Sequence, residues 1–337
     1  MKNNEKTNPY IFLIIMIIIT VFSMILAREG KYILFLCVGF GFMLGVSKIP
    51  TESIMKYIDW VGIVLFVLQG LSVSGIIEYS KYGLFVNGLK AFYVPILDLI
   101  IYKYCLQTKK FWYVYVWIMG SFFLIKNKYL MVLLLILFAT LVLVWLEKNG
   151  LKKYKMITIA FLFLNLEGLV LFMLGFAYRT QQNWAVAFIT KQGKASYIYE
   201  VLNRFLTGSK FWGRSMEYSE IVAWLPEYKT SCVFTYYIAE YGIAVGIGIC
   251  IFMIAIFIKW LLNMKQFKET EQIIGIISIV SLAYYFVVNI LMNLQMLPFI
   301  SQSVFLPFFS QELGSIISSY ILAGFLVKNY GNTTVLS

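Results

Sequence analysis

The 337-residue sequence predicts an all-α, polytopic membrane protein of about ten transmembrane helices, with one long extracellular loop and a proline-containing re-entrant segment. Three observations carry this. Hydrophobic residues make up 61% of the chain and charged residues only 13%. Apolar runs recur near the roughly 20-residue length that crosses a bilayer. The basic residues between those runs alternate in abundance, as the positive-inside rule requires.

The first run, Tyr10–Ala27, lies where a signal peptide would. It is long, however, and Ile25 stands where a small residue would favour cleavage after Ala27, so it reads as a retained helix. Tyr32–Val46 and Trp60–Ile77 follow, separated by a segment carrying Lys48 and Lys56. Ala91–Leu106, Trp112–Ile125, Tyr129–Leu146 and Met156–Ala177 continue the series, divided by Lys109 and Lys110, by Lys126 and Lys128, and by the run from Lys148 to Lys155. After a long connection come Ser231–Ile258, Gln272–Met292 and Leu313–Val327. Several of these runs are short for a full span, which tilt, local thinning or extension into the loops would accommodate.

With the N-terminus inside, the short cytoplasmic segments hold fourteen lysines, from Lys2 to Lys328. The short outer segments hold six basic residues: Arg28, Lys31, Lys81, Lys90, Lys126 and Lys128. Both termini are therefore expected in the cytoplasm of a bacterial plasma-membrane protein. Losing or merging one helix would reverse one end.

Composition also excludes. The chain has no histidine, which rules out a histidine general base, a Ser-His-Asp triad and any histidine-ligated metal. Cys37, Cys105, Cys232 and Cys250 stand singly, without a C-x-x-C pair, and read as small hydrophobes. The net charge of +12 is scattered between apolar runs and forms no basic stripe, so topology explains it better than nucleic acid does. Aromatics at 18% fit interfacial belts in contact with membrane lipids.

No repeat, low-complexity tract or soluble domain interrupts the chain, so residues 1–337 are read as one domain. Its long outer loop, 178–230, carries Arg204, Lys210, Arg214 and Lys229, and the apolar clusters Tyr197–Leu206 and Phe211-Trp212 predict a folded, membrane-hugging element there. Pro298 and Pro307 fall in the re-entrant segment 295–310, where proline prevents a regular helix and re-aims the chain. Irregular backbone at membrane depth must line a cavity or be buried in protein. This segment is expected to face Trp224–Ser231 across a groove that admits a lipid tail.

The most informative stretch is Trp224–Gly246, WLPEYKTSCVFTYYIAEYGIAVG. It resembles a motif of the SEDS family (FtsW/RodA/SpoVE), in which Leu-Pro-Glu is followed by Thr-Asp-Phe and then Glu-Leu-Gly. Leu225, Pro226, Glu227, Thr230, Phe234, Glu240 and Gly242 keep that pattern, and Ser231 stands at the aspartate. Gly208–Arg214 is similar to the family's glycine-rich turn. Asn289-Ile290, Met296-Leu297-Pro298 and Leu306-Pro307-Phe308-Phe309-Ser310 look like its downstream motifs, with Gln311-Glu312 in place of Tyr-Gly. In the N-terminal half the family acids are replaced at Leu97 and Lys128.

The resemblance implies peptidoglycan glycan-strand polymerisation in division, elongation or sporulation. An acceptor hydroxyl attacks the anomeric carbon of a lipid-linked disaccharide precursor, and an undecaprenyl pyrophosphate leaves. The partner it implies is a class B penicillin-binding transpeptidase. The chemistry needs a carboxylate to take the proton and cations for the pyrophosphate. Arg204, Lys210, Arg214 and Lys229 supply cations for phosphate oxygens or, equally, for anionic headgroups. No cofactor is fixed by the residues; a divalent cation bridging the pyrophosphate follows from the chemistry alone.

A serine hydroxyl has no useful basicity without a partner base, so Ser231 alone cannot replace the aspartate. Glu227, four residues earlier, would share a helix face with Ser231 if the segment were helical and would act as a displaced base. It would equally serve as an acid at a helix N-terminus. Glu240 is expected in a polar network lining the cavity, while Asp98 and Glu167 are further intramembrane acids whose burial calls for a partner or a neutral state. Thr230, Pro307 and Ser310 complete the candidate substrate contacts through the resemblance. Three readings stay open: a divergent polymerase, a catalytically inactive homologue acting as scaffold or regulator, and a capsule or O-antigen type polymerase.

Overall fold

A computed structural model describes residues 9–26, 29–73, 96, 99–100, 103–104, 179–193, 196–264, 269–298 and 304–331. Asp98, Glu167, Lys128 and the expected helices Trp112–Ile125, Tyr129–Leu146 and Met156–Ala177, with most of Ala91–Leu106, lie outside the described residues. The regular elements are helices α1 (Pro9–Leu26), α2 (Gly30–Ser47), α3 (Thr51–Val73), α4 (Arg179–Thr190), α5 (Tyr197–Thr207), α6 (Tyr218–Trp224), α7 (Val233–Tyr241), α8 (Ile243–Asn263), α9 (Glu269–Asn293) and α10 (Leu313–Gly331). No strand occurs among the described residues.

Gly30–Ser47, Ile243–Asn263 and Ile274–Asn293 are each long and apolar enough to cross a membrane, and Phe12–Leu26 and Leu313–Val327 are shorter apolar helices. Burial separates their roles. Most of α9 is enclosed, whereas α1 and α8 leave Ile14, Ile18, Ile25, Ile251 and Ile258 exposed on an isoleucine-rich surface suited to lipid.

Without a hydrophobic drive between helices in lipid, close packing has to hold them together. The tightest seam joins α2 to α10 at two glycines. A Cβ on Gly39 would lie 2.7 Å from Tyr320 and 2.8 Å from Ile316, and one on Gly324 would lie 2.8 Å from the Met43 carbonyl. The hydroxyls of Thr20 and Tyr320, 2.6 Å apart, tie α1 to the same seam.

The expected helix Ser231–Ile258 is two helices. It begins at Val233 and breaks at Gly242, whose φ of 100° no other residue adopts cheaply. Apolar residues on both sides hide this break in the sequence, and a second chain segment stabilises it. The backbone NH groups of Gly213 and Ser215 donate to the carbonyls of Tyr241 and Ala239, each at 3.1 Å, while those of Ile243 and Ala244 donate to Lys210 and Phe211, each at 3.0 Å. The loop after α5 thus satisfies the donors and acceptors that the break frees.

Gly242→Ala is expected to destabilise the protein by about 2 kcal/mol or more, because it adds a backbone penalty to a clash. Its Cβ would meet the Phe211 carbonyl oxygen at 2.7 Å. A lower unfolding midpoint in detergent, with new tryptic cleavage at Lys210 and Arg214, is the result to look for.

Candidate functional site

The Leu-Pro-Glu segment leaves α6 at Trp224 and turns before α7 starts. Leu225 is buried and anchors the turn. The Glu227 carbonyl then accepts the NH groups of Thr230 at 2.9 Å and Cys232 at 3.1 Å. Residues 226–232 are therefore turns, so the shared helical face expected for Glu227 and Ser231 does not form. Glu227 has φ 47°, in the left-handed region that costs a non-glycine residue about 1 kcal/mol.

Ser231 is fully buried. Its carbonyl accepts the side-chain amides of Asn289 at 3.0 Å and Asn293 at 2.7 Å. Asn293 in turn accepts the Thr235 NH at 3.2 Å and the Thr235 hydroxyl at 2.7 Å through its own oxygen. Two asparagines on α9 thus fix the start of α7, a role the sequence signalled only through the Asn289-Ile290 match.

The chain returning to α10 packs directly on this turn, where a lipid-admitting groove between the two was expected. The Gln311 NH donates to the Lys229 carbonyl at 2.7 Å, the Ser310 hydroxyl lies 3.5 Å from the Thr230 carbonyl, and Asn289 also donates to the Val304 carbonyl at 3.3 Å. Tyr32 and Tyr237 hold the return from behind, donating to the carbonyls of Phe308 at 3.0 Å and Phe309 at 2.7 Å. Pro307 and Ser310 are buried here, so they shape the turn from beneath and do not reach open space.

Open space lies on the other side of the turn. A cleft of about 720 Å³ runs between α5 and the Trp224–Tyr228 segment, and Tyr197, Glu200, Arg204, Trp224, Glu227 and Tyr228 are among the residues that line it. That volume is ordinary for a small-molecule site. Gln295, at the end of α9, donates to the Tyr199 carbonyl at 2.9 Å and holds α5 in place as the opposite wall. Glu200 had no motif to mark it. Its only sequence signal was the four-residue spacing to Arg204, which puts both on one stripe of an amphipathic helix.

The four candidate cations separate. Arg204 lines the cleft. Arg214 sits at the helix break and pairs at 2.6 Å with Glu240, whose side chain is only 2% exposed. Lys210 is exposed on the same loop. Lys229 reaches to Glu29, beyond the end of α1, with its ammonium 2.8 and 3.0 Å from the two carboxylate oxygens. Glu240 therefore fastens the helix break, away from the residues that line the cleft.

Partial burial works to lower the Lys229 pKa, but the hydrogen bond and charge of Glu29, with Tyr228, outweigh it and leave the value raised. A raised lysine pKa adds stability that is complete below the unfolded value of about 10.4 and is lost as pH rises through the higher folded value. The destabilisation caused by Glu29→Gln should accordingly be the same at about pH 7 and about pH 9, as read from unfolding midpoints.

Carboxylates and a guanidinium lining one cleft with aromatic rings suit a ligand with hydroxyls, sugar faces and phosphate oxygens. Among the described residues no group of three or more His, Cys, Asp or Glu side chains is placed to hold a metal ion. A family model described as cell cycle protein, FtsW/RodA/SpoVE, matches residues 102–333, more than half of the chain. No curated protein matches it.

Proposed function

Because the chain belongs to the FtsW/RodA/SpoVE family, multi-pass membrane proteins of cell-wall synthesis, we propose that it polymerises an undecaprenyl-linked disaccharide precursor in the α5–α6 cleft. Glu227 is the displaced base. Its carboxylate takes the proton of the acceptor hydroxyl as the new glycosidic bond forms at the donor's anomeric carbon. The bond to the carrier pyrophosphate breaks, and Arg204 stabilises the charge that develops there. A class B penicillin-binding transpeptidase is the proposed partner, and the cleft is proposed to face outward with both termini inside.

One observation carries this reading: Glu227, held in a strained left-handed turn, lines the same cleft as Arg204, while Ser231 is sealed in the interior. Lys191, Gln295 and Phe308 are left-handed too, so it is the conjunction of this strain with the open cleft that points to a functional side chain at Glu227.

The burial of Ser231 also favours a second reading, a catalytically silent homologue acting as a scaffold in a wall-synthesis complex. A polymerisation assay with labelled precursor separates the two. The purified chain, alone and with its transpeptidase, should yield glycan polymer that disappears in Glu227→Gln. No polymer from the wild type under either condition would overturn the proposed activity and favour the scaffold reading.

A further inference from the structure

The cleft wall that carries Glu227 is held at both ends by one carboxylate outside it. Residues 222–228 form that wall. Tyr218, at the start of α6, precedes it, and Lys229 follows it. Glu29, just before α2, reaches both. The Lys229 ammonium lies 2.8 and 3.0 Å from its two oxygens, and the Tyr218 hydroxyl donates to one of them at 3.5 Å. Glu29 stands on fixed backbone. Its carbonyl accepts the Tyr32 NH at 3.0 Å, and Tyr241 donates to the Leu26 carbonyl at 2.9 Å at the end of α1. The opposite wall, α5, is tied elsewhere, by Gln295 on the Tyr199 carbonyl. The two walls of the cleft are therefore anchored to different parts of the helix bundle.

We propose that Glu29 is a positioning residue for the reaction in the cleft, an inference that rests on the proposed function. Stability does not account for its pair with Lys229. The two side chains are 39% and 38% exposed, and such pairs hold a fold together weakly. Buried Ile221 and Leu225 seat α6 without it, and the Gln311 NH holds the Lys229 carbonyl at 2.7 Å. What the pair restrains is the turn. Glu227 lies two residues before Lys229 with φ 47°, a conformation that persists only where its surroundings over-determine it. A turn that relaxed this φ would re-aim the residues after it, and the two-point hold of Glu29 on Lys229 opposes that. Placement at this level matters more to a reaction than to a fold, since a shift of about 1 Å at a reacting group is costly. Direct contact of Lys229 with the pyrophosphate is the competing role. It would require the ammonium to leave Glu29, and Lys229 is not among the described residues that line the cleft.

The test follows polymerisation of labelled precursor and hydrogen–deuterium exchange of residues 218–232, both on the full chain in detergent. Glu29→Gln should lower kcat about fivefold with KM little changed, the population shift that loss of an exposed ion pair allows. Exchange across 218–232 should quicken by a similar factor while α5 exchanges as before. Lys229→Met should match it, and the two together should do no more than either alone, because both break one contact. The reversed pair, Glu29→Lys with Lys229→Glu, should return kcat to within about twofold of the wild type. Glu220→Gln, an exposed acid of α6 outside the cleft lining, should change neither readout. Undiminished kcat in Glu29→Gln overturns the inference and leaves the proposed function standing. A fall in kcat that only tracks a falling unfolding midpoint overturns it too. So does a reversed pair that regains slow exchange but stays impaired, because Lys229 would then touch the precursor itself. Absence of polymer from the wild type removes the proposed function, and the positioning role with it.

Discussion

Glu227→Gln is expected to lower precursor turnover about a hundred- to ten-thousandfold, the range that a positioned general base contributes. Glutamine keeps the length and hydrogen-bonding reach of glutamate but has no basic oxygen, so kcat should fall far more than KM changes. The turn itself survives the substitution, because the NH groups of Thr230 and Cys232 bond to the Glu227 carbonyl, which glutamine retains, at 2.9 and 3.1 Å. Glu227→Gly sharpens the comparison. It removes the same carboxylate while relieving the left-handed φ, a gain of about 1 kcal/mol, so an inactive variant at least as stable as the wild type would tie the strain to function. Full activity in Glu227→Gln would remove this residue from the chemistry.

The spans were legible where physics writes them locally. Apolar length alone placed α1, α2, α9 and α10 to within a few residues, and the apolar cluster Tyr197–Leu206 announced α5. The break at Gly242 was not legible, since the hydrogen bonds that stabilise it come from Lys210 to Ser215, a segment distant in sequence. Charge was misleading for the same reason. Four cations in one loop looked like one anion site, yet Lys229 is drawn to Glu29 and Arg214 to Glu240, partners 200 and 26 positions away. The half-exposed Lys229–Glu29 pair contributes little to stability, but it decides where a side chain points. The Leu-Pro-Glu motif marked the right turn and left its conformation open, because an acid following a proline suits a helix start and a tight turn equally well.

Position 231 allows the sharpest contrast between sequence and structure. Restoring the family's aspartate with Ser231→Asp should destabilise the protein by about 3 kcal/mol and should not raise turnover. The side chain is fully buried, and the nearby amides of Asn289 and Asn293 already donate to the Ser231 carbonyl. A carboxyl group placed there loses its water without gaining a cation, which favours the protonated form. A protonated acid cannot accept the acceptor hydroxyl's proton, so the substitution adds the family residue without adding a base. Denaturation midpoints and polymer yield measure the two effects separately. The double variant Glu227→Gln with Ser231→Asp should stay inactive, because the cleft would then lack the proposed base and the buried aspartate would not replace it. Polymer from that double variant would assign the chemistry to position 231, and would make the wild-type chain, with serine there, the silent member that the second reading describes.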